Sequence, residues 1–405
     1  MAINVSRRRM MQASQTRLAA PTDTFFEQRC RAIHRQQLIP IIGDTIRLAH
    51  IFDANAGPNT NGDESVGVQT LVVDELEGEG ASNGHSDLAR LSVTEELAQY
   101  WAQEISYPLA DRYRIARVAQ FHILEQENSV TAKEDYLSFL KSLLLEIARD
   151  IAQEDGDREE LAYIDQLKNE PALTFSDIVA ELDYPQFPPG KEDPLRVLAR
   201  LPLKIYLTTS YYNSVERELE AAGKYPKSRL CFWNGRPPNL SKEHEPDPNY
   251  TPDVNNPVVY HLFGMEQYPQ SLVLSEDDYL DFLWTLARDL PGDSGERIIP
   301  PYLQAELNNS SLLLLGFRLG DWDLRVLFRG LLSSGPGLVQ RRLPGTAIQI
   351  EVGSQPLVED EEKAAAYLKE YFKQARLDVR YGDSDQFVTD LWHEWQKWSQ
   401  GAKTA

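Results

Sequence analysis

The stretch that decides the fold reads Leu38-Ile-Pro-Ile-Ile-Gly-Asp-Thr45 and continues as Ile-Arg-Leu-Ala-His-Ile-Phe52. Its first five residues are apolar and are followed by Gly43, and the apolar residues after Thr45 recur at roughly helical spacing. We interpret this pattern as a strand, a tight turn and a helix, because glycine is the usual residue where the backbone must turn sharply. The chain therefore begins its ordered part as an α/β unit.

The same alternation of strand and helix returns after residue 203. Apolar or β-branched runs predict strands at 204–210, 258–264, 311–317 and 347–352, with a more polar one at 377–382. Helix-length segments lie between them at 211–222, 276–288, 322–332 and 360–375. Continuous apolar strands that alternate with helices are typical of a parallel sheet covered on both faces. The predicted fold class is α/β, a Rossmann-like parallel sheet with a large helical insertion.

The remaining segments predict one large domain with appendages. We expect an N-terminal arm or helix at 1–30, a single α/β domain at 31–385 and a C-terminal helix rich in tryptophan at 386–405. Inside the domain lie an acidic loop at about 53–92 and a helical insertion at about 93–200. The tryptophans of the C-terminal helix share one side, so they either pack on the domain or form an interface with another copy or a partner chain.

Charge and cysteine content exclude several functional classes. The 62 acidic and 41 basic residues give a net charge of −21, which disfavours direct binding to nucleic acid. No apolar run is long enough to predict a membrane span. Only Cys30 and Cys231 occur, and two cysteines cannot build a four-cysteine zinc site. We expect a cytoplasmic chain that uses no metal and binds neither nucleic acid nor membrane.

Small and hydroxyl-bearing residues follow the predicted strands at their carboxyl ends, which is where ligands bind in open α/β sheets. They are Gly43, Asp44 and Thr45; Thr208, Thr209, Ser210 and Tyr211; Phe263 and Gly264; and Gly316, Asp321 and Asp323. Backbone N–H groups and hydroxyls at such a place suit the phosphate and ribose groups of a nucleotide. The sequence therefore predicts a nucleotide-sized crevice at this edge of the sheet.

The order of these motifs resembles the bacterial sirtuin-like domains of prokaryotic defence proteins. The resemblance rests on Thr-Thr-x-Tyr at 208–211, His-Leu-x-Gly at 261–264 and Leu-Leu-Gly-Phe-x-Leu-x-Asp-x-Asp-x-Arg at 314–325, and it spans roughly residues 30–385. It implies a Rossmann-type fold that binds NAD as substrate or ligand. Many members of the family hydrolyse NAD to nicotinamide and ADP-ribose in antiviral defence. Members that deacylate lysine carry a zinc module, which this chain cannot build.

The chain departs from the family at the positions that the resemblance makes catalytic. Asp44 stands in the first phosphate loop, Ser210 replaces an asparagine, and Phe263 replaces the histidine of a His-Gly pair. His261 lies two residues before Phe263, on the same face of the strand but roughly 6–7 Å further back. Ser210 and His261 are thus the candidate catalytic residues, and each is alternatively a side chain that only bonds to its surroundings.

The acidic residues near the strand ends also leave alternatives open. Asp44 either caps the following helix or binds ribose hydroxyls. Asp321 caps a helix and Asp323 pairs with Arg325, or this segment contacts the adenosine half of a dinucleotide. The run 276–278 is explained by complementarity to a helix dipole better than by a metal site.

Two hypotheses on function therefore remain. The chain is an NAD-hydrolysing effector of prokaryotic defence, or it is a catalytically lapsed sirtuin-like module that binds a nucleotide or serves as an assembly or sensor scaffold. Either one fits a homo-oligomer or a complex with a partner chain.

Overall fold

The computed structural model describes residues 23–52, 92–185, 187, 191–288, 298–317, 322–327, 346–350, 363, 366–367, 370, 377–382 and 384–404. The predicted acidic loop up to residue 91, the first 22 residues of the predicted arm, and Asp321 lie outside these ranges. Within these ranges, seven strands form one sheet with the order β3-β4-β2-β1-β5-β6-β7. The strands are β1 (Leu38–Ile42), β2 (Ile205–Thr208), β3 (Lys227–Leu230), β4 (Val258–His261), β5 (Ser311–Phe317), β6 (Thr346–Ile350) and β7 (Leu377–Tyr381).

All neighbouring strands run parallel, so the predicted α/β, Rossmann-like sheet is confirmed. The helices are α1 (Asp23–His34), α2 (Thr45–Phe52), α3 (Val93–Glu104), α4 (Ile115–Gln126), α5 (Ser129–Glu154), α6 (Arg158–Lys168), α7 (Phe175–Glu181), α8 (Pro194–Arg200), α9 (Ser214–Ala221), α10 (Glu276–Arg288), α11 (Pro301–Asn309), α12 (Trp322–Leu327) and α13 (Ser384–Thr404). Helices α3 to α8 separate β1 from β2 along the chain and form the predicted helical insertion.

Strand β1 lies at the centre of the sheet, with three strands on either side, and every one of its residues is buried. It pairs with β5 along its whole length, but with β2 only from Ile41 onward. Pro40 precedes that point, and proline has no N–H to donate to a ladder. A proline therefore fits a central strand here because its pairing toward β2 starts one residue later.

Strand β3 is the one element of the sheet that the sequence pattern did not indicate. It reads Lys-Ser-Arg-Leu at 227–230, with only its last two residues buried, and it lies at the edge of the sheet. Edge strands are commonly short and charged, since this discourages pairing with another chain. A search for apolar runs therefore passes over it.

The helical insertion is tied to the sheet by a buried ion pair. Lys133 of α5 is almost fully buried, and its Nζ donates to Asp278 Oδ1 at 2.9 Å and to the Leu272 carbonyl at 2.7 Å. Asp278 Oδ2 accepts from the backbone N–H groups of Leu274 and Ser275, at the start of α10. The pair places α5 over the carboxyl end of the sheet, where the candidate site lies.

The C-terminal helix α13 packs on the domain, which is the first of its two predicted roles. Trp392 and Trp395 pack against a buried cluster that α1 and α8 also build. Trp395 stacks on Trp398 with ring centroids 5.7 Å apart, and Trp398 contacts His34 of α1. The described helices include none that is long and apolar enough to cross a membrane.

Candidate functional site

A cavity of about 450 Å3 opens beyond the carboxyl ends of β1 and β5. These two strands are neighbours in the sheet, yet β2, β3 and β4 lie on one side of them and β6 and β7 on the other. The strand order therefore reverses between β1 and β5, and open α/β sheets bind ligands in the crevice at such a switch point. Helices α3, α4, α5, α10 and α12 supply the other walls.

Gly43 and Gly316 approach each other closely at the ends of β1 and β5, and Gly316 lines this cavity. A Cβ on Gly43 would lie 2.3 Å from the Gly316 carbonyl oxygen, so only glycine fits between the two strand ends. Gly316 has a φ of +71°, a backbone region that side chains rarely adopt. The Thr45 hydroxyl donates to the Gly316 carbonyl at 2.5 Å and fixes the start of α2 to the end of β5. These two segments form a rigid base for a ligand.

One wall of the cavity is an aromatic stack that holds a carboxylate. Trp322 stacks on Tyr279 with ring centroids 5.9 Å apart and 17° between the planes. The Tyr279 hydroxyl donates to Asp323 Oδ1 at 2.5 Å. Burial raises the pKa of Asp323, although hydrogen bonds from Tyr279 and Thr209 act against this. Asp323, a residue that the sequence predicts to bind the ligand, therefore lies at the cavity, beside a hydroxyl that orients it.

Asp44 brings a second carboxylate to the cavity. Its backbone carbonyl accepts from Leu48 N–H at 3.0 Å, so it stands at the N-terminal end of α2, where the sequence predicts a cap. Tyr136 and Tyr211 line the same space. Burial, and then the charge of Asp44, raises the pKa of both tyrosines, which keeps their hydroxyls protonated. The inner end of the cavity is thus built from carboxylates and tyrosines.

Arginines line the cavity nearer to solvent. Arg114, Arg117 and Arg325 belong to its walls, and all three are exposed. Arg117 donates to Asp111 at 2.6 Å and to Glu276 at 3.2 Å, and these two hydrogen bonds are the main reason that its pKa is raised. Glu276 therefore forms an ion pair with Arg117 at the rim of the cavity. The cavity is acidic at its base and carries basic groups at its entrance.

The predicted catalytic Ser210 is buried just outside this cavity. Its backbone N–H donates to the Thr208 hydroxyl at 2.9 Å, and its own hydroxyl accepts from Tyr212 N–H at 3.4 Å. Thr208 donates to the Ile42 carbonyl at 3.1 Å. These hydroxyls satisfy the turn after β2, which is the alternative that the sequence left open for Ser210.

His261 and Phe263 are also buried away from the cavity. The His261 Nε2 lies 2.7 Å from Glu216 Oε1, and its Nδ1 lies 3.1 Å from the Ser210 carbonyl, so both ring nitrogens have partners. Phe263 packs edge-on against Tyr279 and Phe282. Neither side chain lines the cavity.

Gly264 follows with a φ of +102°, and a Cβ there would lie 2.5 Å from the Ser271 carbonyl. Gly264 therefore allows two backbone segments to approach each other closely, and it does not line the cavity.

Residues 204–375 match the family of SIR2-like domains. The resemblance to sirtuin-like domains is thereby confirmed for that part of the chain, and the match supports a sirtuin-like, NAD-binding protein. No curated protein matches the chain.

The residues that match SIR2-like domains supply only part of the cavity. Tyr211, Tyr279 and Asp323 belong to the matched residues, whereas Asp44 and Tyr136 come from β1–α2 and the insertion. Sequence reasoning identified the two carboxylates and Tyr211, but it missed Tyr136 and Tyr279. Tyr136 lies in the helical insertion, and its place at the cavity depends on how the insertion folds back over the sheet.

The cavity suits NAD better than it suits a metal. Among the described residues, no three histidine, cysteine or acidic side chains converge on a point that could hold a metal ion. Carboxylates can accept hydrogen bonds from ribose hydroxyls, aromatic faces can stack on a nicotinamide or adenine ring, and rim arginines can pair with phosphates. The residues present therefore fit a dinucleotide.

Proposed function

We propose that this chain binds NAD in the cavity at the switch point and hydrolyses the bond between nicotinamide and ribose. The observation that carries the proposal is the placement of Asp44 and Asp323 together in a crevice of the SIR2-like fold. A carboxylate close to the reacting ribose stabilises the positive charge that develops as nicotinamide leaves. The products are nicotinamide and ADP-ribose.

The reaction needs little beyond positioning and charge. The C1′–N bond breaks, and its electron pair goes to the nicotinamide ring, which loses its positive charge. A water oxygen then bonds to C1′, and the water gives up a proton. A carboxylate that stays ionised can accept that proton, while the stack of Trp322 on Tyr279 offers a face for the departing ring. We assign Asp44 to the water, because it stands on the rigid turn beside Gly43.

The biological setting that accompanies this activity is prokaryotic antiviral defence, with a homo-oligomer or a partner chain as the assembled state. The support is the resemblance of the sequence to domains of such proteins. Depletion of NAD in an infected cell is the outcome that this chemistry would serve.

A non-catalytic module that binds NAD or a related nucleotide is the second candidate. It is favoured by the burial of Ser210 and Phe263, the positions at which the family resemblance places the catalytic asparagine and histidine, and by the burial of His261. In this alternative the cavity keeps its affinity for the dinucleotide and has lost cleavage. The fold would then serve as a sensor or an assembly scaffold.

The test is a chromatographic assay of NAD incubated with the purified full chain, in which nicotinamide and ADP-ribose are quantified. We expect products from the parent, and a loss of about 10²-fold in their rate of formation from Asp44→Asn. Asp165→Asn makes the same chemical change on an exposed part of α6 and serves as the matched control. Ser210→Ala is measured beside them.

Each outcome assigns the function. Equal rates from Asp44→Asn and the parent would show that Asp44 takes no part in cleavage. A loss confined to Ser210→Ala would establish the serine predicted from the sequence. If no variant forms products but calorimetry shows that NAD binds, the chain is the non-catalytic module.

A further inference from the structure

We infer that the helical insertion supplies a further catalytic residue, Tyr136, whose hydroxyl holds the attacking water against Asp44. This inference rests on the proposed function, and it names an additional residue for that reaction. Tyr136 belongs to α5, so it lies outside the residues that match SIR2-like domains. It lines the same cavity as Asp44 and Asp323.

Packing fixes the position of the Tyr136 ring. The residue is almost fully buried, and its ring lies against Trp101 of α3 and Phe139 of α5, with centroids 4.9 Å and 6.5 Å away. One turn earlier on α5, the ion pair of Lys133 with Asp278 ties the helix to the start of α10. A hydroxyl on a ring that is held in this way is in place before a ligand arrives, which lowers the entropy cost of using it.

The Tyr136 hydroxyl is free to bind a ligand, unlike those of Tyr211 and Tyr279. Tyr211 donates to the Val273 carbonyl at 2.6 Å, and Tyr279 donates to Asp323 at 2.5 Å. Among the residues that the structure describes, none forms a hydrogen bond with the Tyr136 hydroxyl. A buried tyrosine usually finds a partner for its hydroxyl, so we expect the partner of Tyr136 to be a molecule in the cavity.

The charges around Tyr136 indicate which kind of molecule this is. Burial raises the pKa of Tyr136, and the charges of Asp44 and Asp323, in that order, raise it further. The phenol therefore keeps its proton and donates it in a hydrogen bond, while a carboxylate only accepts. A molecule between Tyr136 and Asp44 must accept from the first and donate to the second. Water does both, and so does the hydroxyl group that the water becomes on C1′ of the product.

This arrangement gives each part of the water a role in hydrolysis. The water oxygen accepts from the Tyr136 hydroxyl through one lone pair and bonds to C1′ through the other, while one of its protons passes to Asp44. The bond from C1′ to nicotinamide breaks, and its electron pair stays on the nicotinamide ring. The proton of Tyr136 is not transferred. Removal of the hydroxyl should therefore slow the reaction without stopping it.

Tyr136→Phe removes this hydroxyl and keeps the ring that packs on Trp101. We expect the rate of ADP-ribose formation at saturating NAD to fall about tenfold, with a KM within about twofold of the parent's, because NAD itself makes no bond to the hydroxyl. Tyr163→Phe is the matched control. It removes a hydroxyl from α6 of the same insertion, which donates to Glu181 and does not line the cavity. Equal urea midpoints of Tyr136→Phe and the parent would show that the fold is kept.

Calorimetry of the full chain separates contact with the water from contact with the ribose. ADP-ribose carries on C1′ the oxygen that came from water. Carba-NAD carries nicotinamide at that carbon, and it is not cleaved because a methylene group replaces the ring oxygen of its nicotinamide ribose. We expect Tyr136→Phe to weaken ADP-ribose about tenfold and carba-NAD by less than about twofold. Tyr163→Phe should change neither affinity.

The outcomes separate this inference from the proposed function. If the parent binds neither ligand or forms no product from NAD, the proposed function fails and this inference fails with it. If the parent forms products but Tyr136→Phe leaves the rate unchanged, Tyr136 does not hold the water while NAD hydrolysis stands. The same conclusion follows if the variant does not weaken ADP-ribose. If it weakens ADP-ribose and carba-NAD alike, Tyr136 contacts the ribose hydroxyls or phosphates that the two ligands share, and its assignment to the water is wrong.

Discussion

Small and hydroxyl-bearing residues follow the strands on both sides of β1, but the structure differs between the two sides. On the side of β5, the residues after the strands enclose a cavity whose inner groups are Asp44 and Asp323. On the side of β2 and β4, the polar side chains near the strand ends are bonded to one another. His261, the last residue of β4, lies 2.7 Å from Glu216 of α9, which also accepts from the Ser228 hydroxyl of β3 at 2.7 Å. The first side can receive a ligand, and the second is filled by the protein itself.

Aromatic residues explain the difference between the two sides. Tyr212 packs on Phe175, and Phe263 packs on Phe282. These large side chains occupy the space beyond β2 and β4. At the carboxyl ends of β1 and β5, Gly43 and Gly316 have no side chain and leave room for the cavity. The position of a hydroxyl or histidine at a strand end is therefore a weaker guide to function than the volume of its neighbours.

Gly43→Ala should disrupt the open side, that of β1 and β5, and its effect on stability is the largest that we expect. The new Cβ would lie 2.3 Å from the Gly316 carbonyl oxygen, which belongs to the backbone of a central strand and cannot move aside cheaply. We expect the free energy of unfolding to fall by about 3 kcal/mol or more. Urea unfolding followed by circular dichroism measures it.

Gly156→Ala is the matched control for that change. Gly156 has a φ of +69°, but no atom lies within 4 Å of the Cβ that would be added. Its cost is the backbone strain alone, about 1 kcal/mol. Equal losses from the two variants would mean that the close approach of Gly43 to Gly316 costs no more than the backbone strain at Gly156.

The filled side, that of β2 and β4, can be tested through the pH dependence of stability that its buried pair, His261 and Glu216, contributes. Burial alone would lower the pKa of His261, but the neighbouring Glu216 carboxylate raises it above the usual value. Burial would likewise raise the pKa of Glu216, and His261 lowers it below the usual value. The histidine contribution to stability is complete below the unfolded pKa of about 6.5 and is lost as the pH rises through the raised folded value. The glutamate contribution is lost as the pH falls through its lowered value.

His261→Gln should remove the alkaline part of this dependence. In the parent, we expect the free energy of unfolding to decline above about pH 6.5, by about 1.4 kcal/mol for each unit by which folding raises the pKa of His261. In the variant, urea unfolding at pH 5.5, 7 and 8.5 should show a flatter profile and a lower stability at pH 5.5. NAD affinity at pH 5.5 should be unchanged. An affinity that falls with the substitution would return His261 to the ligand site.

The same contrast explains what the sequence could and could not predict. Continuous apolar strands such as 311–317 indicated the parallel sheet, because burial on both faces leaves that pattern. Asp44, Tyr211 and Asp323 were found because carboxyl ends of parallel strands meet at one edge. The partner of His261 was not found, since Glu216 is 45 residues away and its position depends on α9 packing beside β4. Tyr136 was missed because the path of the insertion over the sheet is a matter of tertiary packing.

Thr45→Val tests the smallest part of the open side, the hydrogen bond that fixes its two turns. The Thr45 hydroxyl donates to the Gly316 carbonyl, and valine keeps the branched shape while it removes the donor. We expect a loss of about 1 kcal/mol in the free energy of unfolding, since this is the usual net value of one hydrogen bond. If the hydroxyl only holds Gly316 in place, calorimetry of the folded variant should show an affinity for NAD within about twofold of the parent's. A loss of about tenfold or more would mean that Thr45, which lines the cavity, contacts the ligand itself.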